Sequence, residues 1–341
     1  MIVDQKEIIE ALMKPEAYDE NTDHIELIQT HISFVFLTDN HAYKVKKPVD
    51  LGFLDFTTLE KRRFFCKKEL ELNRRLCGDM YLEVVPINKL RTIKIKGKGK
   101  IVEYALKMKR ISQEKILITL LKNNKVDNNL IDKIAKIIAE FHKKAESNER
   151  TRQFGSLRII RKNWKENFNQ TEEFIGSTIS ASDYEAICEK VNKYIKQNGG
   201  LFEKRVLDGR IKDCHGDIHS GNIFVADQIY IFDAIEFNER FRYSDVAADI
   251  AFLAMDLDFR KRPDLSDVLT KRYIEYSGDE GVIKLFPFYQ CYRAYVRGKV
   301  TSFKLKDENV SSRDKSAAKR EASAYFKLAA NYAKRLDWNI S

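Results

Sequence analysis

Three side chains stand in an order that suits phosphoryl transfer: Asp217, Asn222 five positions later, and Asp233 after a short gap. The first two lie in the polar run Cys214-His215-Gly216-Asp217-Ile218-His219-Ser220-Gly221-Asn222. A hydroxyl that attacks phosphorus must shed its proton, and a carboxylate aimed at it does this; Asp217 takes that place. Triphosphate oxygens need a hard cation, and Mg2+ binds through a few oxygen ligands together with water and phosphate. The amide oxygen of Asn222 and the carboxylate of Asp233 are ligands of that kind. A base Asp five residues before a metal-binding Asn, with a metal-binding Asp further on, is an order that phosphoryl-transfer sites use.

The surrounding pattern fixes these groups in space. A β-like run, Arg210-Ile211-Lys212, precedes the polar stretch, and Ile223-Phe224-Val225 follows it. A two-residue turn at Asp227-Gln228 leads to Ile229-Tyr230-Ile231-Phe232, so a β-hairpin is expected with Asp233 at its end. His215 and His219 are four apart, a spacing that suits a zinc site on a helix face. Gly216 and Gly221 speak against a helix here, and the only nearby soft ligand, Cys214, is expected to point into the core. His215 is read as holding the loop through ring hydrogen bonds.

Upstream, Ile25–Gln29, Ser33–Leu37 and Ala42–Lys46 read as three strands, with Thr38-Asp39-Asn40-His41 as the second turn. In the third, Ala42, Lys44 and Lys46 face one way. A small residue followed by a lysine suits a strand that admits adenine and reaches its phosphates; Lys44 is the first candidate and Lys46 the second. A helix is expected over Thr57–Cys77, ended by Gly78. Its Phe65, Glu69, Leu72 and Leu76 share a face, and a carboxylate in an apolar stripe needs a partner. Glu69 is therefore the expected mate of Lys44 or Lys46. Glu71, beside Lys68 and Arg75, reads as solvated. The runs Ile87–Lys96 and Ile101–Met108 flank Gly97-Lys98-Gly99-Lys100 and read as a hairpin. Lys107-Met108-Lys109-Arg110 would then offer backbone groups to adenine.

With these residues in place, His215-Gly216-Asp217-x-His219-x-x-Asn222 followed by Asp233 resembles the aminoglycoside phosphotransferase and choline kinase family. The stretches Phe232-Asp233-Ala234-Ile235-Glu236-Phe237-Asn238 and Ala42-Tyr43-Lys44-Val45-Lys46-Lys47-Pro48-Val49-Asp50 resemble a bacterial subgroup of it whose substrate is not established. The resemblance runs from about Ile25 to Phe259 and is thinnest between about Glu146 and Leu207. It implies an α+β, two-lobed, protein kinase-like fold. A nucleotide-binding lobe is expected over 1–108, with a small antiparallel sheet. A helical lobe is expected over 109–341, carrying the catalytic loop 214–222 and Asp233. It also implies ATP and Mg2+ as cofactors and a small hydroxyl-bearing acceptor. The Thr30-His31-Ile32-Ser33 turn, where kinases cover the phosphates, has no glycine-rich motif, which fits the small-molecule branch.

Beyond the polar loop the chain reads as helical. Asn129–Ala145 carries Ile131, Ile134, Ile138 and Phe141 at helical spacing, and His142 reads as a packed residue at its end. Ser156–Val206 reads as two helices broken at Gly176-Ser177, forming a wall for the acceptor. Ser244 is the expected cap of a helix over Asp245–Asp258. Asp245, Asp249 and Asp256 share a face of it. Asp245 and Asp249 are read as bracing the loop or pairing with Arg240 and Arg242, ahead of an acidic wall of all three for a cationic or polyhydroxyl substrate. Two long helices, about Ile283–Leu305 and Arg313–Leu336, end the chain. Only residues 234–243 separate Asp233 from the next helix, and there is no Ala-Pro-Glu, so an activation-loop-controlled protein kinase is set aside. An atypical protein kinase and a non-catalytic ATP-binding regulator remain as rival readings.

The totals agree with an enzyme of this size. The 341 residues, 43% hydrophobic and 33% charged, allow two cores, and no apolar run is long enough for a membrane span. Met1–Glu7 lacks the apolar centre of a signal peptide, and five cysteines without a Cys-x-x-Cys pair suit reduced thiols, so a cytoplasmic location is expected. The net charge of +10 is spread along the chain: residues 1–110 hold 21 Lys and Arg against 17 Asp and Glu, the remainder 40 against 34. That is a solvated basic surface, compatible with phosphate-rich ligands, more than a nucleic-acid footprint.

Overall fold

A computed structural model describes residues 4–308 and 310–337. Residues 1–3, on which part of the signal-peptide reading falls, lie outside the described residues. By packing, the chain divides into two units. One contains the residues up to Leu120 together with Gly221–Glu239, and the other contains Leu121–Ser220 with the residues from Arg240 onward.

In the first unit, period-two alternation produces a six-stranded antiparallel sheet in the order β1-β2-β3-β6-β4-β5. Its strands are β1 (Glu26–Gln29), β2 (Ser33–Leu37), β3 (His41–Lys46), β4 (Tyr81–Lys89), β5 (Ile93–Ile95) and β6 (Lys100–Lys109). Phe34, Phe36, Tyr43 and Val45 share a core cluster with Ile8 and Leu12 of the helix Gln5–Leu12. The alternate residues Leu37, Ala42, Leu106 and Met108 share another with Cys77, Phe224 and Tyr230. Thr58 caps the helix Leu59–Cys77 by accepting from the Lys61 N–H at 3.2 Å, and Gly78 ends it with φ +45°.

The expected strand over Ile87–Lys96 is two strands. β4 starts earlier, at Tyr81, and runs along β6, while β5 folds back onto β4 so that Ile95 faces Ile87. The turn between them, Leu90 to Thr92, has neither Gly nor Pro, so the sequence carried no punctuation there. The hairpin β8 (Ile223–Val225) and β9 (Ile229–Ile231) packs in this unit and not with the helical stretch, because Phe224 and Tyr230 enter the cluster of Ala42 and Met108.

The second unit is helical around Val246–Phe259, whose residues 246–257 are all buried. Here β7 (Ile211–Asp213) pairs with β10 (Tyr243–Asp245). Ser244 lies in β10 opposite Lys212, and the helix cap is Asp245, accepting from the Ala247 N–H at 2.9 Å. The insert holds three helices instead of two: Leu157–Asn169, Ala181–Gln197 and Gly199–Leu207, with Gly176 at φ +80° in the expected break. Trp164 anchors the first, its ring 5.3 Å from Tyr292 and 5.6 Å from Tyr295 of the helix Val282–Phe303. Among the described residues no helix is long and apolar enough to cross a membrane.

Candidate active site

Alternation along β3 points Lys44 and Lys46 the same way, and the helix Leu59–Cys77 brings Glu69 against both. Lys44 Nζ donates to Glu69 Oε1 at 2.7 Å and to Asp233 Oδ1 at 2.6 Å. Lys46 Nζ donates to Glu69 Oε2 at 2.6 Å and also to Glu236 Oε1. Glu69 thus takes both lysines, one on each oxygen. The side chains of Lys46 and Glu69 are each 1% exposed, while that of Asp233 is 42% exposed. The Phe56 ring lies 4.7 Å from Lys46 Nζ and seals that end of the network.

The charges follow this geometry. Burial alone would raise the Glu69 carboxyl, but Lys44 and Lys46 outweigh it and hold Glu69 below the usual carboxylate range. Burial would lower Lys44, yet Asp233 and Glu69 keep it well above an ordinary lysine. Glu236 goes the other way: burial lifts it, the nearby Glu69 adds to the lift, and Lys46 only partly offsets them.

The hairpin and the helix fix Asp233. Phe232 N–H donates to the Asn222 carbonyl at 2.9 Å, tying the two ends of the β8–β9 segment together. Asn73, one turn after Glu69, accepts from Ala234 N–H at 2.9 Å and donates to the Glu69 carbonyl at 2.8 Å. Asp233 has φ +66°, the left-handed region that a non-glycine residue occupies at a cost of about 1–3 kcal/mol. Such strain gathers at functional positions, and here it turns the carboxylate toward Lys44. Asn222 is 7% exposed.

In the second unit the loop carrying Asp217 is held by carboxylates from the helix Val246–Phe259. Asp249 accepts from His215 N–H at 2.9 Å and Gly216 N–H at 2.8 Å, and Asp256 accepts from Ser220 N–H at 2.8 Å. Arg293 closes the brace, donating to the carbonyls of Gly216 and Ala248 at 2.9 Å each. Gly216 has φ +90°, which a side chain at this tight turn would resist. The Asp217 carboxylate is about a third exposed and lies 3.5 Å from His219 Nε2. Burial would raise Asp217, but His219, then Arg297 and His215, bring it down to about 2. His215 Nδ1 accepts from Asp217 N–H at 3.3 Å, a ring contact that holds the loop.

Asp249 and Asp256 therefore brace the loop, whereas Asp245 pairs with Arg205 at 2.6 Å. Arg242 pairs with Asp213 and Arg240 with Glu166, so neither arginine takes the expected aspartates. All three aspartates are buried, which removes the acidic-wall reading. Among the described residues one group of His, Cys, Asp and Glu is close enough to hold an ion: His142, Cys214 and Asp249, with ligand atoms within 4.8 Å of one another. It does not include His219, and its members are already engaged. His142 Nδ1 lies 2.8 Å from Tyr273 Oη, and Cys214 Sγ donates to the Ser244 carbonyl at 3.4 Å.

Met108 lies inside β6, opposite Ala42 on β3, and the strand ends one residue later at Lys109. Sequence reasoning gave no role to Glu236, Asn73 or Arg293. For Glu236 a signal was present: a carboxylate inside the apolar run Ala234-Ile235-Glu236-Phe237 needs a buried cation. Asn73 falls one helical turn after Glu69, a spacing that places both on one face. Arg293 carried no local signal.

No protein-family model matches the chain. Uncharacterised proteins of Mycobacterium bovis and Mycobacterium tuberculosis are 32% identical to it over 277 residues, 81% of this chain. The chain spans 54% of the length of these relatives. Among solved structures, the GDP and kanamycin complex of APH(2″)-IIia matches over 92% of this chain and 97% of its own, with a TM-score of 0.50 and 9% identity. A choline/ethanolamine kinase family protein from Mesorhizobium loti matches over 92% and 93%, with a TM-score of 0.49 and 11% identity. The likeness to the first of these two shows the fold: the chain is kinase-like, two-lobed and α+β.

Proposed function

We propose that this chain, which has a kinase-like fold, is a phosphotransferase of the aminoglycoside phosphotransferase and choline kinase family. It would move the γ-phosphoryl group of Mg·ATP to a hydroxyl of a small molecule. The observation that carries this reading is Lys44, whose ammonium sits between Glu69 at 2.7 Å and Asp233 at 2.6 Å. A lysine held by a helix carboxylate beside a metal-binding Asp is what a nucleotide phosphate site requires. A buried network of this kind is costly to build for stability alone, which favours a functional reason for it.

In this reading Lys44 meets the phosphates and Glu69 orients it. Asn222 and Asp233 hold Mg2+, for which amide and carboxylate oxygens are suitable donors, and the exposed part of Asp233 leaves the carboxylate within reach of a cation. Bound Mg2+ would neutralise triphosphate oxygens. The end of β6, Lys107 to Arg110, offers backbone groups to adenine beside Met108 and Ala42. Asp217 accepts the proton of the acceptor hydroxyl, and its ionised form suits that task at neutral pH. The short connection after Asp233 supports a small acceptor over a regulated protein kinase.

The experiment is a screen of hydroxyl-bearing metabolites with ATP consumption as readout, run in parallel with Asp217→Asn. One class of acceptor should stimulate the parent and leave the variant near background. ATP consumption that no acceptor changes, and that Asp217→Asn retains in full, would contradict the assignment.

A further inference from the structure

The two lysines of β3 differ in where their second partner sits. Lys44 joins Glu69 to Asp233, whose side chain is 42% exposed, while Lys46 joins Glu69 to Glu236, whose side chain is 4% exposed. The run Asp233–Lys44–Glu69–Lys46–Glu236 closes on itself, because its two ends stand three residues apart in one segment. Only one end of this ring meets solvent. Lys46 is itself 1% exposed and lies against the Phe56 ring, so it has no path to a ligand.

We infer that the two lysines divide one task, with Lys46 a positioning residue that keeps Glu69 neutralised so that Lys44 is free to turn to the nucleotide phosphates. This rests on the nucleotide-site reading above. Glu69 would otherwise hold Lys44 as its only counter-ion, and turning Lys44 toward phosphate would leave a buried carboxylate alone, which is strongly disfavoured. With Lys46 in place on the other oxygen, the carboxylate stays paired whichever way Lys44 points. Glu236 competes for the Lys46 charge from the opposite side, and so sets how firmly Lys46 holds Glu69.

Lys46 and Glu236 thus act with opposite signs. Removing Lys46 ties Lys44 to Glu69 and weakens its hold on phosphate. Removing the charge of Glu236 leaves Lys46 wholly to Glu69 and loosens Lys44. The readout is the ratio of affinities for Mg·ATP and for adenosine, since adenosine lacks the groups Lys44 would meet. A residue that only supports the fold changes both affinities together or neither.

Calorimetric titrations of the full chain with Mg·ATP and with adenosine test this on Lys44→Met, Lys46→Met, Glu236→Gln and the parent. Lys46→Met should lower the ratio about tenfold, the scale of one charge-assisted hydrogen bond, with adenosine affinity unchanged. Glu236→Gln should keep the ratio or raise it. Should Lys46→Met fail to fold, the double variant Lys46→Met/Glu236→Gln strands no buried charge from that pair and carries the same expected fall. A ratio within twofold of the parent in Lys46→Met, or a fall in Glu236→Gln as large as in Lys46→Met, overturns the inference. Lys44→Met separates the two levels: a lowered ratio there upholds the nucleotide site whatever Lys46 does. An unchanged ratio in Lys44→Met overturns both.

Discussion

Asp217 is the proposed base, and against the pull of burial His219, Arg297 and His215 hold its carboxyl below the usual aspartate range. Held at about 2 against an ordinary aspartate near 3.9, it is ionised throughout the neutral range. Asp217→Asn keeps the shape and removes proton affinity, so transfer should slow by about 10²–10⁴-fold while Mg·ATP still binds, measured by acceptor-dependent ATP consumption and by calorimetry. In a loose, dissociative transfer the base acts late, which favours the lower end of that range. The same depression links folding to pH. The folded carboxyl is more acidic than the unfolded one, so ionised Asp217 adds stability that is complete above about pH 4 and is lost as pH falls toward about 2. Urea unfolding of the parent and Asp217→Asn should therefore differ by a constant amount above about pH 4 and converge as pH falls toward about 2. At this scale much was legible. A glutamate placed in an apolar helix stripe led to the pairing of Glu69 with Lys44, and the order of the loop and hairpin led to Asp233, which meets the same lysine. Glu236 was missed because its partner, Lys46, lies 190 residues away, and only the packing of the hairpin segment beneath β3 joins them.

The helix Val246–Phe259 shows what an element adds. Its spacing put Asp249 and Asp256 on one face, and the structure turns that face to the backbone N–H groups of the loop. Asp249→Asn would put an amide donor against one of two N–H donors, leaving a buried donor unmet. The expected loss is about 3 kcal/mol in urea unfolding, together with a lower turnover, since the loop that carries Asp217 is released. A loss under about 0.5 kcal/mol would mean the brace is incidental. Asp245 escaped the sequence reading because its partner, Arg205, sits on a helix of the insert, where helical spacing gave existence and not orientation. The split of Ile87–Lys96 into β4 and β5 was hidden for a simpler reason: a turn built from Leu90, Arg91 and Thr92 looks like strand. The helix Leu59–Cys77, in contrast, was marked at its C-terminal end by Gly78 and at its centre by Glu69, and was expected from Thr57, two residues before its start.

For the whole molecule, composition limited the field and the packing of its two units refined it. The unit that holds the sheet also holds Gly221–Glu239, so Lys44, Glu69, Asn222, Asp233 and Glu236 all belong to one packed body although they span 193 positions of the chain. Consecutive reading could not foresee this, because the hairpin follows a long helical stretch and its membership is decided by Phe224 and Tyr230 finding the apolar face of the sheet. A nucleotide that binds this body should stabilise the protein by mass action, raising the midpoint of thermal unfolding with ligand concentration. The acceptor is less legible, because its pocket depends on side-chain packing that spacing does not encode. The central claim is that Asp233 and its neighbours form a metal-dependent ATP site. Titration calorimetry of ATP into the intact protein, with Mg2+ and then with the cation removed by chelation, tests it most directly. We expect tight binding that requires Mg2+ in the parent, and loss of that requirement in Asp233→Ala without loss of the folded state. Equal affinity for ATP with and without Mg2+ in the parent would contradict the account.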